Sequence, residues 1–263
     1  MKVKQATLKQ LFKIYQHPSA VLFRAIELKA VYEQTRGQTF RHPSLDLGCG
    51  DGKITQLLFD DQFTYGVDNG EADDVDIAIK NHVYKKVLIE SAEKMSLPDN
   101  SINFIFSNSV IEHIPDNKAV LSEVSRILKR GGSFIFTSPS SLFSDYLYIP
   151  ALLKKLGLGF LSQPYITKRN QMLNHYHILS HIEWEKRLKK AGLKLVGFAY
   201  YIPEEILHLW DRMAVQIYFS RMFDRNIEKK LSKKYAAKIE KFYKHGTDDK
   251  TKGASVFIHA VKS

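Results

Sequence analysis

The sequence predicts an α/β fold built on a mostly parallel sheet of seven strands, with helices on both faces. Three observations lead to this prediction. Short apolar runs alternate with amphipathic helical patterns, most regularly between residues 38 and 138. A glycine-rich turn joins the first of these runs to the helix that follows it. The chain has 263 residues, of which 44% are hydrophobic and 25% charged, and this is enough for one large domain with a buried core.

The strands are predicted from short runs of β-forming residues that end at turn residues. They are Leu45–Leu47, Phe63–Val67, Lys86–Ile89, Ile102–Phe106, Ser133–Thr137, Leu193–Tyr200 and Ala254–Val261. Helical patterns separate most of these strands, which favours a parallel sheet with right-handed crossovers. In such sheets ligands bind at the carboxyl ends of the strands.

The helices are predicted from apolar residues that recur at spacings of three and four. One covers residues 19–36, with Ser19 as its N-terminal cap. Another covers 117–128, and Gly131-Gly132 are suited to a left-handed C-terminal cap for it. A further helix begins after Ser180, whose side chain can cap it.

The charge balance favours anionic partners. Lys and Arg number 39 against 28 Asp and Glu, a formal net charge of +11. Cys49 is the only cysteine, so an internal disulfide, a multi-cysteine metal site and an iron–sulfur radical mechanism are excluded. No apolar run approaches the roughly 20 residues that span a bilayer, and the first residues lack the apolar region of a signal peptide. We therefore expect a cytoplasmic protein without a transmembrane segment, able to lie peripherally against a membrane.

A glycine turn and a following acidic residue indicate a nucleoside ligand. The turn Gly48-Cys49-Gly50-Asp51-Gly52 follows a strand directly and opens a helix, so backbone N–H groups can approach a ligand closely. Asp68 ends the next strand, where a carboxylate can accept hydrogen bonds from two ribose hydroxyls. Asp46 and Asp51 oppose a pyrophosphate at this turn and favour a ligand that carries an ammonium and a sulfonium.

These segments resemble the class I S-adenosylmethionine-dependent methyltransferases. Leu45 to Gly52 resembles their first motif and Gly66-Val67-Asp68 their second. The resemblance continues through 91–101, 107–114 and 121–132, and it is that of the type 11 methyltransferase group over about 40–140. It implies a Rossmann-like fold, S-adenosyl-L-methionine as the cofactor, and transfer of its methyl group.

Carried over by position, the resemblance implies a set of cofactor-binding residues. They are Asp46, Gly48, Cys49, Gly50, Gly52, Asp68, Asn69, Ala92, Glu93 and Asn108. Asp46 would lie near the amino group, Asp68 would hold the ribose, and Ala92 and Glu93 would flank the adenine. Ser91 stands where the family commonly has an aspartate, so the acceptor for the adenine amino group stays open between Ser91, Glu93 and the backbone.

Within this interpretation the chain divides into four segments of one domain, 1–263. Residues 1–37 would form N-terminal helices and 38–138 the cofactor-binding core. Residues 139–179 would form a lid and acceptor insertion, and 203–245 a basic helical insertion.

Candidate catalytic residues are three histidines. Transfer from a sulfonium mainly needs alignment and exclusion of water, but an alcohol or phenol acceptor also benefits from a general base. His113 after the fourth strand, and His175 and His177 in the 139–179 insertion, could supply it. The alternative is that they pack and hydrogen-bond locally. His175 and His177 could also share a metal, but no carboxylate or cysteine stands at ligand spacing along the sequence, so no metal site is predicted.

The basic insertion 203–245 leaves three alternatives open. Its second apolar stripe passes through Leu231, Tyr235 and Ile239, with seven lysines between 229 and 244 around it. Such a helix can pack on its own domain, lie on an anionic membrane, or bind RNA phosphates.

The predicted function is methyl transfer to a small-molecule, sugar or lipid-linked acceptor, at an oxygen atom. Residues 107–110 lack the Asn/Asp-Pro-Pro-aromatic signature of many enzymes that methylate base or amide nitrogens. The alternatives are an RNA methyltransferase, which the basic charge favours, and a cofactor-binding scaffold without catalysis.

Overall fold

A computed structural model describes residues 1–70, 74–245 and 251–263 of the protein. Within these ranges the strands are β1 (Ser44–Leu47), β2 (Phe63–Asp68), β3 (Tyr84–Ile89), β4 (Ile102–Asn108), β5 (Leu128–Pro139), β6 (Leu193–Tyr201) and β7 (Ser255–Lys262). The α-helices are α1 (Leu8–Ile14), α2 (Pro18–Thr35), α3 (Lys53–Leu58), α4 (Asp74–Lys80), α5 (Asn117–Ile127), α6 (Tyr148–Lys155), α7 (Ser162–Met172), α8 (His181–Lys190), α9 (Glu204–Ser220) and α10 (Ile227–His245).

The seven strands form one sheet in the order β3-β2-β1-β4-β5-β7-β6. The first five pair in parallel, and β7 runs antiparallel to both β5 and β6. The predicted fold is therefore confirmed. Because β1 lies beside both β2 and β4, crossovers leave it in opposite directions, and its carboxyl end faces a crevice where ligands of such sheets bind.

The predicted C-terminal cap of the helix at 117–128 was wrong. Gly131 and Gly132 do not cap α5, because that helix ends at Ile127 and β5 already begins at Leu128. The ladder with β4 shifts register between Leu128 and Ser133, and Gly131 takes φ +72° in the bulge.

The cap of α2 also differs from the prediction. His17 holds the N-terminal cap position, with Pro18 as the first helical residue. Ser19 lies inside the first turn, where its hydroxyl is 2.7 Å from His17 Nδ1. The position after His17 suits proline, whose missing N–H has no partner in a first turn.

Apolar cores cover both faces of the sheet. On one face α1, α2, α9 and α10 pack with the strands, and on the other α5 and α8 do so. The stripe of α10 is part of the first core, since Leu231, Tyr235 and Ile239 are buried. The basic insertion therefore packs on its own domain through this face. None of the helices in the described ranges is long and apolar enough to cross a membrane.

A buried carboxylate in α2 joins that helix to the carboxyl ends of the central strands. The side chain of Glu27 is fully buried and accepts hydrogen bonds from Ser109 Oγ (2.6 Å), Asn108 Nδ2 (3.0 Å), Thr137 Oγ1 (3.1 Å) and the Tyr201 hydroxyl (3.2 Å). The guanidinium of Arg24 forms an ion pair with the same carboxylate. Burial opposes ionisation, but the charge of Arg24 and these hydrogen bonds hold the pKa of Glu27 below its ordinary value.

Glu27→Gln should destabilise the protein. The substitution keeps the shape but leaves Arg24 without its partner, and removing one member of a buried ion pair costs about 3 kcal/mol or more. Urea unfolding of parent and variant would measure the loss.

The matched control is Glu33→Gln on the same helix. Glu33 lies 3.8 Å from Lys29 at a partly exposed site, and such pairs contribute about 1 kcal/mol or less. Equal losses for the two variants would contradict the assignment of Glu27 as the buried junction.

Candidate functional site

The glycine turn between β1 and α3 brings the backbone to the crevice. Gly48 takes φ +76°, and a Cβ atom there would lie 2.4 Å from both Cγ atoms of Val110, so no side chain fits. The N–H groups of Gly48 and Cys49 donate to Val67 O at 2.7 and 3.1 Å. Gly50 N–H donates to Asp68 Oδ2 at 2.9 Å. These bonds hold the turn against the end of β2.

A cleft of about 500 Å³ opens at this point, in the range of a small-molecule site. Its lining comes from the turn, from the ends of β2 and β3, from the 3-10 helix Ile111–His113 and from the loop after α7. The lining residues are Gly48, Val67, Asp68, Asn69, Glu90, Ser91, Ala92, Glu93, Val110, His113, Ile114, Pro115, Asn174 and Tyr176.

The charges of the cleft fit a ligand with hydroxyl groups and a positive centre. Asp68, Glu90 and Glu93 contribute carboxylates, and none of the described lining residues is Lys or Arg. A pyrophosphate would meet repulsion here. A ribose can instead donate to the carboxylate of Asp68, which lies at the end of β2 as the sequence predicts.

The loop after β3 forms the far rim of the cleft. Ser91 Oγ donates to Glu93 Oε2 at 3.2 Å, and Glu93 N–H donates to Ser91 Oγ at the same distance. Ser91, Ala92 and Glu93 all line the cleft. The two side chains that the sequence offers as acceptors for the adenine amino group, Ser91 and Glu93, therefore both lie at the rim.

Five of the residues predicted to bind the cofactor do not line the cleft. Gly50 and Gly52 shape the turn with φ of +45° and +74°, and Cys49 is buried. Asp46 is buried too, accepting hydrogen bonds from Thr55 Oγ1 and from the Tyr84 hydroxyl. Burial raises the pKa of Asp46 to about 6. Asn108, the fifth, donates to Glu27 instead.

A second, smaller cavity of about 210 Å³ lies beside the cleft. Three aromatic rings wall it: Phe143 lies 5.9 Å from Trp210 and Trp210 lies 6.0 Å from Phe23, between centroids. The remaining lining residues are Ala20, Arg24, Ser109, Glu112, His113, Pro139, Leu173 and His175. This composition suits an apolar or aromatic body with one polar group.

His113 is common to the cleft and the second cavity. Its Nδ1 lies 3.1 Å from Asn174 O, and because a carbonyl oxygen can only accept, Nδ1 carries the proton in the neutral ring. The other nitrogen, Nε2, then keeps a free lone pair. Burial lowers the pKa of His113, so the ring is neutral at pH 7.

Glu112, His113 and His175 form a cluster at the polar wall of the second cavity. One ligand atom from each lies within 4.8 Å of the others, and the buried Glu112 Oε2 and His175 Nδ1 have no hydrogen-bond partner among the residues that the structure describes. Burial raises the pKa of Glu112 to about 8 and lowers that of His175 to about 4, so both are neutral at pH 7. One carboxylate and two imidazoles are donor types that zinc accepts, and the fold brings together here a group that spacing along the sequence did not predict.

His177 lies outside both cavities. Its Nε2 is 2.9 Å from Pro115 O, and its backbone N–H, like that of Tyr176, donates to Glu112 O. The ring thus ties the loop after α7 to the loop after β4. Of these two histidines, His175 lines the second cavity and His177 lines neither of the two cavities described above.

Several residues of the second cavity escaped the sequence analysis. Phe23 and Arg24 lie on α2 and Phe143 lies after β5, far from the recognised motifs. One feature of the sequence could have indicated them. Arg24 and Glu27 are an opposite-charge pair at i, i+3 on a helix whose other buried residues are mostly apolar.

Comparison with known proteins agrees with this geometry. Residues 45–136 match the family described as methyltransferase domain. A probable S-adenosylmethionine-dependent methyltransferase of Mycolicibacterium smegmatis is 28% identical over 117 residues, 43% of this chain and 44% of that protein. A ubiquinone biosynthesis O-methyltransferase of Coxiella burnetii is 28% identical over 110 residues, 40% of this chain and 46% of that protein.

The matched region therefore spans less than half the length of these two relatives. Among solved structures, a putative sarcosine dimethylglycine methyltransferase from Galdieria sulphuraria superposes with a TM-score of 0.57. The superposition covers 93% of this chain and 87% of that one at 18% identity, so it concerns the fold alone.

Glu112→Gln should change how stability depends on pH. Because the pKa of Glu112 is raised to about 8 in the folded protein, the folded state holds a proton that the unfolded state releases. The parent therefore loses stability as the pH rises towards 8, by about 1.4 kcal/mol per unit, and the variant does not. Urea unfolding at pH 6.5 and 7.5 would show this difference, because the titration of His175 contributes to the parent and to the variant alike.

Glu123→Gln provides the control. A hydrogen bond from Arg126 lowers the pKa of Glu123, so this carboxylate is ionised in both states above pH 6. The parent and this control should change in parallel between pH 6.5 and 7.5. An equally parallel change for Glu112→Gln would contradict a protonated Glu112.

Proposed function

The chain carries a class I S-adenosylmethionine-dependent methyltransferase domain, and from this premise we propose that it methylates an oxygen atom of an acceptor with an apolar body. The observation that carries the proposal is the position of His113, which lines both the acidic cleft and the aromatic cavity. A methyl donor in the first and an acceptor in the second would meet at this side chain.

S-Adenosylmethionine is the cofactor, and it supplies a methyl group on a sulfonium that is already an activated leaving group. Asp68 would accept hydrogen bonds from the ribose, while the turn at Gly48 leaves room for the rest of the molecule. Ser91, Ala92 and Glu93 at the rim would hold the adenine. Asp46 would act indirectly, by fixing Thr55 and Tyr84 beneath the turn.

The protein's own contribution to the reaction is alignment, exclusion of water and acceptance of one proton. His113 Nε2 would accept the proton of the acceptor hydroxyl, since Asn174 O fixes the tautomer that leaves this atom free. His175 would support the acceptor from the other side of the cluster, where its Nδ1 has no hydrogen-bond partner in the described part of the chain.

The acceptor class follows from the walls of the second cavity. Phe23, Phe143 and Trp210 can stack on a ring or pack on a hydrocarbon body. The cavity contains one guanidinium, Arg24, and Glu27 already pairs with it, which disfavours a polyanion such as RNA. The name of the Coxiella relative adds support for an oxygen acceptor. A phenol or a lipid-linked alcohol is our first choice, and a free sugar fits these aromatic walls less well.

Asp68→Ala should abolish tight cofactor binding. A carboxylate that accepts two hydrogen bonds contributes about 3 kcal/mol, so we expect the dissociation constant to rise by about a hundredfold or more. Calorimetry with S-adenosylmethionine would measure it. Glu90→Gln serves as a control, because that carboxylate also lines the cleft but both of its oxygens already accept hydrogen bonds from Ser96. Unchanged affinity in Asp68→Ala would contradict the proposed cofactor site.

His113→Ala should lower turnover and leave cofactor affinity nearly constant. Loss of a general base typically costs a factor of about 10² to 10⁴ in rate. The assay would use methyl-labelled cofactor with fractionated lipids, phenolic metabolites, glycans and RNA, followed by the variant on the fraction that takes up label. His175→Ala should also slow turnover, by a smaller factor.

His177→Ala is the matched control in the same loop, outside both cavities. A loss of rate as large as that of His113→Ala would contradict the assignment of His113. Label found in RNA alone would remove the proposed acceptor class while leaving the cofactor site intact.

A further inference from the structure

The C-terminal end of α9 exposes a cluster of large apolar side chains. Tyr218, Phe219, Met222 and Phe223, here called the α9 tip, are 65%, 62%, 77% and 86% exposed. Single exposed apolar residues are ordinary on a protein surface, but four within six residues mark an interaction site. Tyr218 is of the kind that favours the boundary between lipid and water, and phenylalanine is common on the apolar face of helices that lie in a membrane interface.

Positive charge surrounds the α9 tip. Between residues 218 and 234 there are six basic residues and two acidic ones. Both acids are already in ion pairs, Glu228 with Arg221 and Asp224 with Lys230 at 2.7 Å. Since the apolar stripe of α10 is buried, the lysines at 229, 230, 233 and 234 lie on its exposed side. Exposed apolar tips with a basic rim match the interface of an anionic bilayer.

A second exposed turn repeats this composition. Between α6 and α7, Leu156 and Phe160 are 63% and 74% exposed, directly after Lys154 and Lys155. Helix α6 packs against α9, so both turns belong to the helical layer beside the second cavity.

We propose that the α9 tip inserts into the headgroup region of an anionic lipid bilayer, with the first turns of α10 held against the lipid phosphates. The surface differs from the one that the sequence suggested, because the apolar face of α10 is turned into the protein. Helix α9 also carries Trp210, nine residues before Phe219 and therefore about 14 Å away along the helix. Docking would thus place the second cavity close to the bilayer. The choice of a lipid-linked alcohol as the acceptor rests on the proposed function.

The test is sedimentation of the purified protein with vesicles of phosphatidylcholine alone or mixed with phosphatidylglycerol. We expect binding to the anionic vesicles that weakens with added salt, and little binding to the neutral ones. Met222→Ser/Phe223→Ser should lower the partition coefficient about tenfold or more. Arg225→Gln/Lys229→Gln should also lower it about tenfold or more on anionic vesicles.

The control is Ile182→Ser/Val196→Ser, which removes two apolar side chains of 52% and 49% exposure on α8 and β6. It should bind as the parent does. No binding by the parent, or equal loss in both apolar variants, would overturn the proposal. A further result would also overturn it. If analytical ultracentrifugation shows a dimer for the parent and a monomer for Met222→Ser/Phe223→Ser, the α9 tip joins two copies of the chain.

Vesicle binding is measured without acceptor or turnover. Failure here with intact label transfer in detergent would therefore reject the membrane surface alone. Vesicle binding without any label transfer would reject the proposed function alone.

Discussion

The buried carboxylate of Glu27 is the constraint on which the architecture of both cavities depends. It sits on α2, and its partners lie at the carboxyl ends of β4, β5 and β6, so one ion fixes the helix over the reactive edge of the sheet. Phe23 and Arg24 reach the second cavity only because α2 is held there. Hydrophobic packing is non-directional and would allow the helix several positions on this surface, whereas hydrogen bonds from several strands fix one position.

Burial is the main reason why the neighbouring Glu112 is protonated, and the charge of Glu27 adds to it. Glu112 is buried among groups that already satisfy one negative charge, and a second charge at that depth would lack a partner. Glu112 and His175 of the cluster are consequently neutral at pH 7. Without a charge on either neighbour, the lowered pKa of His113 favours its unprotonated imidazole at the junction of the two cavities.

Much of the first cavity could be predicted from the sequence, and much of the second could not. Gly48 and Asp68 belong to a contiguous motif whose backbone geometry is local, so spacing alone locates them at the cleft. Asp46 and Asn108 belong to the matched motifs too, but their side chains form hydrogen bonds with Tyr84 and Glu27 inside the protein. These partners are distant in sequence, so only the fold shows the contacts. The second cavity joins α2, the segment after β5, the loop after α7 and α9, and no spacing along the chain relates them. Gly131 failed as a cap because strand pairing with β4 outweighed the local preference of the glycine pair.

The antiparallel strand β7 has a consequence for biosynthesis. It lies between β5 and β6, so β6 has no neighbour in the sheet until the ribosome has made residues 255–262. Until that moment β5 is an edge strand and β6 is unpaired, in addition to the permanent edge at β3, and such strands are prone to pair with other chains. Completion of the sheet therefore waits for residues 255–262, and chains cut short before Ser255 would depend on chaperones to stay in solution.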